Sequence, residues 1–254
     1  MSIIVVTGTN TDIGKTVVTA AVAALARAQG RRVVVLKPAQ TGVGPGEDGD
    51  AQVAAALAGA DAVELARYPE PLAPATAARR AGLAPVGPRD VADAARKLAT
   101  EYDLVLVEGA GGLLVRLDGA GGTLADAARL LTAPVLVVAA PALGTLNSVQ
   151  LTAEALRARG LEALGVVIGC WPDRPGLAER CNVGELAEMA GAPLLGAVPE
   201  GSGGLAAPRF RELAGRWLAP VLGGEWDAAR FEAESAPDAV AGPSGPDTAT
   251  AVAG

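Results

Sequence analysis

Gly8-Thr9-Asn10-Thr11-Asp12-Ile13-Gly14-Lys15-Thr16 follows the apolar run Ile3–Thr7 and opens a segment of helical spacing, Thr16–Gln29. The nonapeptide matches G-x-x-x-x-G-K-[ST], with strand, glycine loop and helix in the order that motif requires. In such a loop successive backbone N–H groups curl around a phosphate, and the helix dipole adds a favourable field. Lys15 is expected to reach the β- and γ-phosphates, and the Thr16 hydroxyl to ligate Mg²⁺. Asp12, Ile13, Gly14 and Val17 belong to the same expected nucleotide-binding stretch. The bland alternative is a glycine turn that caps a helix.

Outward from this loop, short apolar runs alternate with helical patterns. Arg32–Lys37, Leu104–Glu108, Pro134–Ala139, Leu164–Ile168 and Leu194–Val198 join Ile3–Thr7 as buried strands. Asp50–Leu57, Val91–Thr100, Leu124–Leu131, Leu146–Arg159 and Val183–Ala190 carry helix-type spacing. The alternation predicts an α/β fold, a mostly parallel sheet with helices on both faces, in one P-loop NTPase-like domain over residues 1–226. Ligands of such sheets bind at the C-terminal ends of the strands. Residues 38–49 read as a glycine-rich acidic loop, and residues 69–88 as irregular structure or short helices over one edge. Periodicity ends at Trp226, and residues 227–254 are expected to form a disordered, functionally silent tail of low complexity.

Composition narrows the chemistry. The 254-residue chain is 50% hydrophobic but 3% aromatic, so its core is built from Ala, Val, Leu and Ile. Its formal net charge of -7 supplies no basic face for nucleic acid. Two cysteines, Cys170 and Cys181, suggest neither disulfides nor a zinc site, and the start of the chain resembles no signal peptide. No apolar run is long enough to span a membrane, so a cytoplasmic protein is expected. There is no histidine, which excludes Ser-His-Asp and Cys-His nucleophiles and histidine-held metals. Of 21 basic residues only Lys15, Lys37 and Lys97 are lysines. In a chain that otherwise uses arginine, a lysine at a special position is informative.

Lys37 closes the run Val34-Val35-Leu36, where an ammonium is costly to desolvate without an anionic partner; the alternative is a lysine that snorkels to water. Thr41 stands four residues on, where its hydroxyl can serve the same anion. Asp50 opens a helix and is read either as a metal ligand or as an N-cap, with Glu47 and Asp48 as competitors. Glu108 terminates Leu104-Val105-Leu106-Val107 opposite the P-loop, the Walker-B arrangement for Mg²⁺, and Gly109, Ala110 and Gly111 allow a ligand to approach the backbone. Gly144-Thr145-Leu146-Asn147 precedes another helix; exposed N–H groups there suit a carboxylate, and a plain helix entry capped by Thr145 explains it equally.

In this order, V-T-G-T-N-T-D-I-G-K-T, K-P-A-Q-T-G, G-D-A, V-E-G-A-G-G and L-G-T-L-N resemble the dethiobiotin synthetases over residues 3–150, and the later strands fit that fold to about residue 222. The resemblance implies a ligase of biotin biosynthesis. It converts 7,8-diaminononanoate, CO₂ and a Mg²⁺-bound nucleoside triphosphate to dethiobiotin through a carbamate and its mixed anhydride with phosphate. It further implies that Lys15 and Lys37 stabilise the carbamate and the transferring phosphoryl group, and that Thr16, Asp50 and Glu108 hold magnesium. Thr11, Asp12, Lys37 and Thr41 would contact the diamine, and Gly144, Thr145, Leu146 and Asn147 its carboxylate across a homodimer interface.

One departure concerns the base. Family members that favour ATP commonly place an asparagine after the strand equivalent to Leu164–Ile168, where this chain reads Gly169-Cys170-Trp171-Pro172-Asp173. Contacts are therefore expected from backbone at Gly169, Cys170, Pro199, Glu200 and Gly201, with weak discrimination between ATP, CTP and other triphosphates. Cobyrinate-type amide synthetases share the fold but add a glutaminase domain for which this chain has neither length nor histidine. Partitioning ATPases carry an early P-loop lysine where Thr9 or Asn10 stands here.

Overall fold

In the computed structural model, which describes residues 2–237, seven strands form one sheet. They are β1 (Ser2–Gly8), β2 (Val33–Thr41), β3 (Asp61–Tyr68), β4 (Leu104–Gly112), β5 (Val135–Ala139), β6 (Ala163–Trp171) and β7 (Leu194–Pro199). The helices are α1 (Lys15–Ala28), α2 (Asp50–Ala58), α3 (Pro74–Ala81), α4 (Pro88–Leu98), α5 (Leu124–Leu131), α6 (Thr145–Arg157), α7 (Leu177–Ala190), α8 (Ala207–Leu213) and α9 (Ala228–Ser235). The sheet order is β3-β2-β4-β1-β5-β6-β7, and every registered pair is parallel. The central strands are apolar throughout because both of their faces are covered: Val5, Val6, Val34, Val35, Leu36, Leu106 and Val107 are all inaccessible to solvent.

The chain leaves β1 toward β2 on one side and leaves β4 toward β5 on the other. The direction of winding thus changes at the β4–β1 pair, and a crevice opens at the C-terminal ends of those strands. A second opening lies beside it. β2 and β4 are registered only as far as Leu36↔Val107, after which both strands run on without pairing to each other. Lys37 and Glu108, the next residue on each strand, sit where the two separate. Pro38, which lacks an N–H, falls in the same unpaired stretch and costs no hydrogen bond to β4.

Several sequence expectations are corrected. β2 continues to Thr41 and β4 to Gly112, so neither Lys37 nor Glu108 ends its strand. β3 was absent from the expected strands because Asp61-Ala62-Val63-Glu64-Leu65-Ala66-Arg67-Tyr68 mixes charge with apolar residues, as an edge strand does. α7 begins at Leu177, six residues earlier than expected, since no residue of its first turn is fully buried and the turn carries little apolar periodicity. The 69–88 stretch holds a short helix as expected, α3, packed on β2 and β3.

The expectation that order stops at Trp226 is corrected by α9. Asp227 accepts the Arg230 N–H at 2.7 Å as N-cap, and Phe231 packs edge-on against Trp171 and beside Trp226, with ring centroids 5.0 and 5.3 Å apart. Residues 238–254 of the expected tail lie outside the described residues. Removing a half-buried aromatic ring from such a cluster, as in Phe231→Ala, should lower unfolding free energy by about 2 kcal/mol. Urea denaturation measures it; an unchanged midpoint would mean that α9 contributes nothing to stability.

Candidate active site

The P-loop leaves β1 and returns to α1 through two left-handed residues, Asp12 at φ 55° and Gly14 at φ 88°. Asp12 and Thr132 are the non-glycine residues with positive φ among those described. Lys15 curls back over the loop, its Nζ donating to the Asn10 carbonyl at 2.8 Å. Gly14 also meets β6 at very close range: a Cβ on Gly14 would lie 2.1 Å from the Gly169 carbonyl oxygen, and one on Gly169 would lie 2.0 Å from that of Ile13. Two facing glycines therefore let the loop rest on the strand. This close approach is the structural consequence of Gly169, which the sequence had marked only as a base contact.

At the point where β2 and β4 part, four of the expected residues come together. Lys37 Nζ donates to Glu108 Oε1 and to the Gly109 carbonyl, each at 3.0 Å, and also to Asp50 Oδ2. Thr16 Oγ1 donates to the same Glu108 Oε1 at 2.9 Å. Lys37 is 2% exposed and Glu108 0%, so this is a buried ion pair, and snorkelling of Lys37 to water is ruled out. Asp50 is the first residue of α2, with Gly49 as N-cap; its carboxylate faces Lys37, which removes the capping explanation. Glu47 instead accepts the Gly44 N–H at 2.9 Å within its own loop.

The two lysines differ electrostatically. Burial pulls the Lys37 pKa down, but the charges of Glu108 and then Asp50 outweigh it and hold the ammonium above its ordinary value. Burial, followed by repulsion from Lys37, draws Lys15 below its ordinary value. Two buried cations that repel each other at a phosphate loop are an anion-binding arrangement. They face a cavity of about 400 Å³ whose lining includes Thr11, Asp12, Ile13, Gly14, Lys15, Thr16, Lys37, Thr41, Asp50, Ala110 and Gly111. Ala39, Gln40 and Val43 also line it, and sequence reading had not marked them as site residues.

The residues fit a magnesium ion. Glu108 Oε2 is buried without a hydrogen-bond partner, next to a carboxylate oxygen that already accepts from Thr16. Among the described residues no three His, Cys, Asp or Glu side chains gather as a cation cage. Two carboxylates and a hydroxyl suit Mg²⁺, which characteristically takes its remaining ligands from phosphate and water.

Farther along the strand ends, the Glu200 N–H donates to the Trp171 carbonyl at 2.7 Å, and Ser202 Oγ to that of Pro199 at 2.7 Å. Burial, then the charge of Glu200, pushes the half-buried Cys170 thiol up, away from thiolate chemistry. Val17 borders this corner, 3.0 Å from where a Cβ on Gly203 would stand. Gly144, Thr145, Leu146 and Asn147 do not line the P-loop cavity. Thr145 opens α6, with Gly144 as N-cap; its Oγ1 is buried and has no partner, so it does not cap the helix.

A parallel sheet with a phosphate loop at the switch point and a strand-borne carboxylate beside it defines a P-loop nucleoside triphosphatase fold. A likeness in fold alone extends to the septum site-determining protein MinD complexed with Mg-ADP from Pyrococcus horikoshii, with a TM-score of 0.52 at 20% identity over 85% of this chain and 95% of that one. The family described as "AAA domain" matches residues 2–203. The ATP-dependent dethiobiotin synthetase BioD of Streptomyces avermitilis is 66% identical over 238 residues, covering 93% of this chain and all (100%) of its own. That of Streptomyces coelicolor is 65% identical over 232 residues, covering 91% and 98%. The chain belongs to the dethiobiotin synthetase family.

Proposed function

We propose that this protein closes the cyclic urea of dethiobiotin from 7,8-diaminononanoate, CO₂ and ATP, with the residues around Lys37 and the P-loop as its machinery. One observation carries the assignment of residues: two of the chain's three lysines are buried side by side at the mouth of the P-loop, against Asp50 and Glu108. One amine attacks CO₂ and loses a proton, giving a carbamate. A carbamate oxygen then attacks the γ-phosphorus and the nucleoside diphosphate leaves. The second amine attacks the carbamate carbon, the C–O bond to phosphate breaks, and phosphate departs as the ring closes.

Every step places negative charge on oxygens between two fixed ammonium groups, and none needs histidine. Lys15 meets the β- and γ-phosphate charge, while Lys37 offsets charge on the carbamate and the transferring phosphoryl. Thr16, Asp50 and Glu108 would hold magnesium, which supplies charge neutralisation for the triphosphate. Thr11, Asp12 and Thr41, at the rim of the cavity, orient the diamine. The reading is tested by mass analysis of the product from diamine, bicarbonate and Mg-ATP; absence of dethiobiotin would sink it.

The diamine carboxylate is assigned to the N-terminus of α6, where Gly144 and Asn147 are exposed and the first-turn N–H groups suit an anion. Because that helix start does not line the cavity of its own chain, we assign it to the site of a second copy. Exposed Leu114, Leu143 and Leu151 are in keeping with such a homodimer, Leu143 at 88% exposure. Light scattering at the monomer mass would remove this part of the account. Asn147→Leu should raise the diamine KM about tenfold with kcat nearly unchanged; an equal fall in kcat at constant KM would contradict carboxylate capture.

For the base, backbone at Gly169, Cys170 and Pro199–Gly201 offers hydrogen bonds without an asparagine side chain. Such a site discriminates weakly, so CTP, GTP and UTP should support turnover within about an order of magnitude of ATP. Turnover confined to ATP in a four-nucleotide panel would overturn that expectation.

A further inference from the structure

Thirteen positions separate Lys37 from Asp50, yet their side chains meet. The intervening loop, residues 42–49, is rich in glycine and would let Asp50 wander unless something held it. Two side chains do. Gln40, 4% exposed, accepts the backbone N–H of Asp50 on its Oε1 at 2.8 Å and donates from Nε2 to the Thr41 carbonyl at 3.2 Å. Gly49 lies directly on that amide, so that a Cβ there would come within 2.8 Å of Gln40 Oε1. From the edge strand, Arg67 Nη1 donates to the carbonyls of Gly44 at 2.9 Å and Glu47 at 2.6 Å. Its remaining nitrogens grip Glu64 at 2.7 and 2.9 Å, fixing the guanidinium plane. Parallel register sets Arg67 beside Gln40 and Glu64 beside Lys37.

We propose that Gln40 and Arg67 are positioning residues that clamp the 42–49 loop so that the Asp50 carboxylate is presented to Lys37 and to the magnesium side of the site. The inference rests on the reading of Asp50 as a magnesium ligand. Neither side chain touches the reacting atoms; each fixes backbone, one at the end of the loop and the other in its middle. A buried glutamine and a half-buried arginine spanning the same loop from adjacent strands do more than satisfy stray carbonyls, because both constraints converge on one carboxylate.

Calorimetric binding of ADP, once with Mg²⁺ and once with EDTA, separates positioning from general damage. Gln40→Met and Arg67→Met keep side-chain bulk but lose the polar grip. Each should weaken ADP binding with Mg²⁺ about tenfold while leaving binding in EDTA unchanged, as loss of outer-sphere support does. Asp50→Asn should show the same pattern, and Arg67→Lys should recover part of the loss. Equal weakening in both conditions, or none in either, would overturn the proposal. If Gln40→Met does not fold by circular dichroism, Arg67→Met alone decides in the same way. Failure of the parent protein to consume the diamine would refute the reaction assigned above, yet leave this Mg²⁺-dependent difference intact.

Discussion

Lys37→Met is expected to make no detectable dethiobiotin and to unfold more readily than the parent. The first effect follows from losing the cation assigned to the carbamate and the γ-phosphoryl, a loss worth on the order of a thousandfold in turnover or more. The second follows from burial. Glu108 is 0% exposed, and Lys37 is the cation bonded to it. Removing one partner of a buried pair leaves an uncompensated charge and costs roughly 3–5 kcal/mol. Lys37→Met combined with Glu108→Gln should therefore recover much of the stability and none of the activity. A single variant as stable as the parent would mean that the pair does not carry the charge balance of the core. Full activity would remove Lys37 from the mechanism.

Gly169→Ala is expected to cripple nucleotide binding although the new methyl group touches no ligand. Its Cβ would fall 2.0 Å from the Ile13 carbonyl oxygen and 2.6 Å from Val138 Cγ1, closer than folded chains tolerate. The neighbouring backbone belongs to the P-loop, so the loop must lift from β6 and its N–H groups lose their aim. Displacement of about 1 Å in such a cradle costs on the order of a hundredfold in catalysis. Gly119→Ala, where nothing lies within 4 Å of the added Cβ, is the matched control and should behave as the parent does. Unaltered ADP affinity in the Gly169 variant would show that the loop and β6 are not rigidly apposed.

Much of this architecture was legible in the residues. Apolar runs alternating with helical spacing implied the parallel sheet, and the G-x-x-x-x-G-K-T loop located the phosphate site. The scarcity of lysine singled out Lys37 before its partners were known. What periodicity could not supply was the supporting frame. β3 carries Asp61, Glu64 and Arg67 in an eight-residue edge strand, so its pattern lacks the apolar signature of the inner strands, and Arg67 went unmarked with it. Gln40 was hidden for a different reason: its role is to hold the Asp50 amide ten residues away, a contact set by the path of a glycine-rich loop. Asp50 itself carried two readings, because only the position of Gly49 as N-cap frees its carboxylate for Lys37. The ordered α9 escaped because its eight residues, Ala-Ala-Arg-Phe-Glu-Ala-Glu-Ser, are too few to show periodicity; its docking depends on Phe231 meeting tryptophans distant in sequence or beyond the turn.

The structure also explains why the site needs two strands to part. With register ending at Leu36↔Val107, the Gly109 carbonyl is free of β2 and accepts from Lys37 Nζ at 3.0 Å, while Lys37 and Glu108 stay dry beside the P-loop. A buried pair in that position is strongly coupled to any anion entering the cavity.

Phosphate release from Mg-ATP, with bicarbonate present and with or without 7,8-diaminononanoate, tests the central claim most directly. The account predicts release only with the diamine, one phosphate for each dethiobiotin formed. Hydrolysis at the same rate without the diamine would contradict it, leaving a P-loop ATPase whose γ-phosphoryl goes to water.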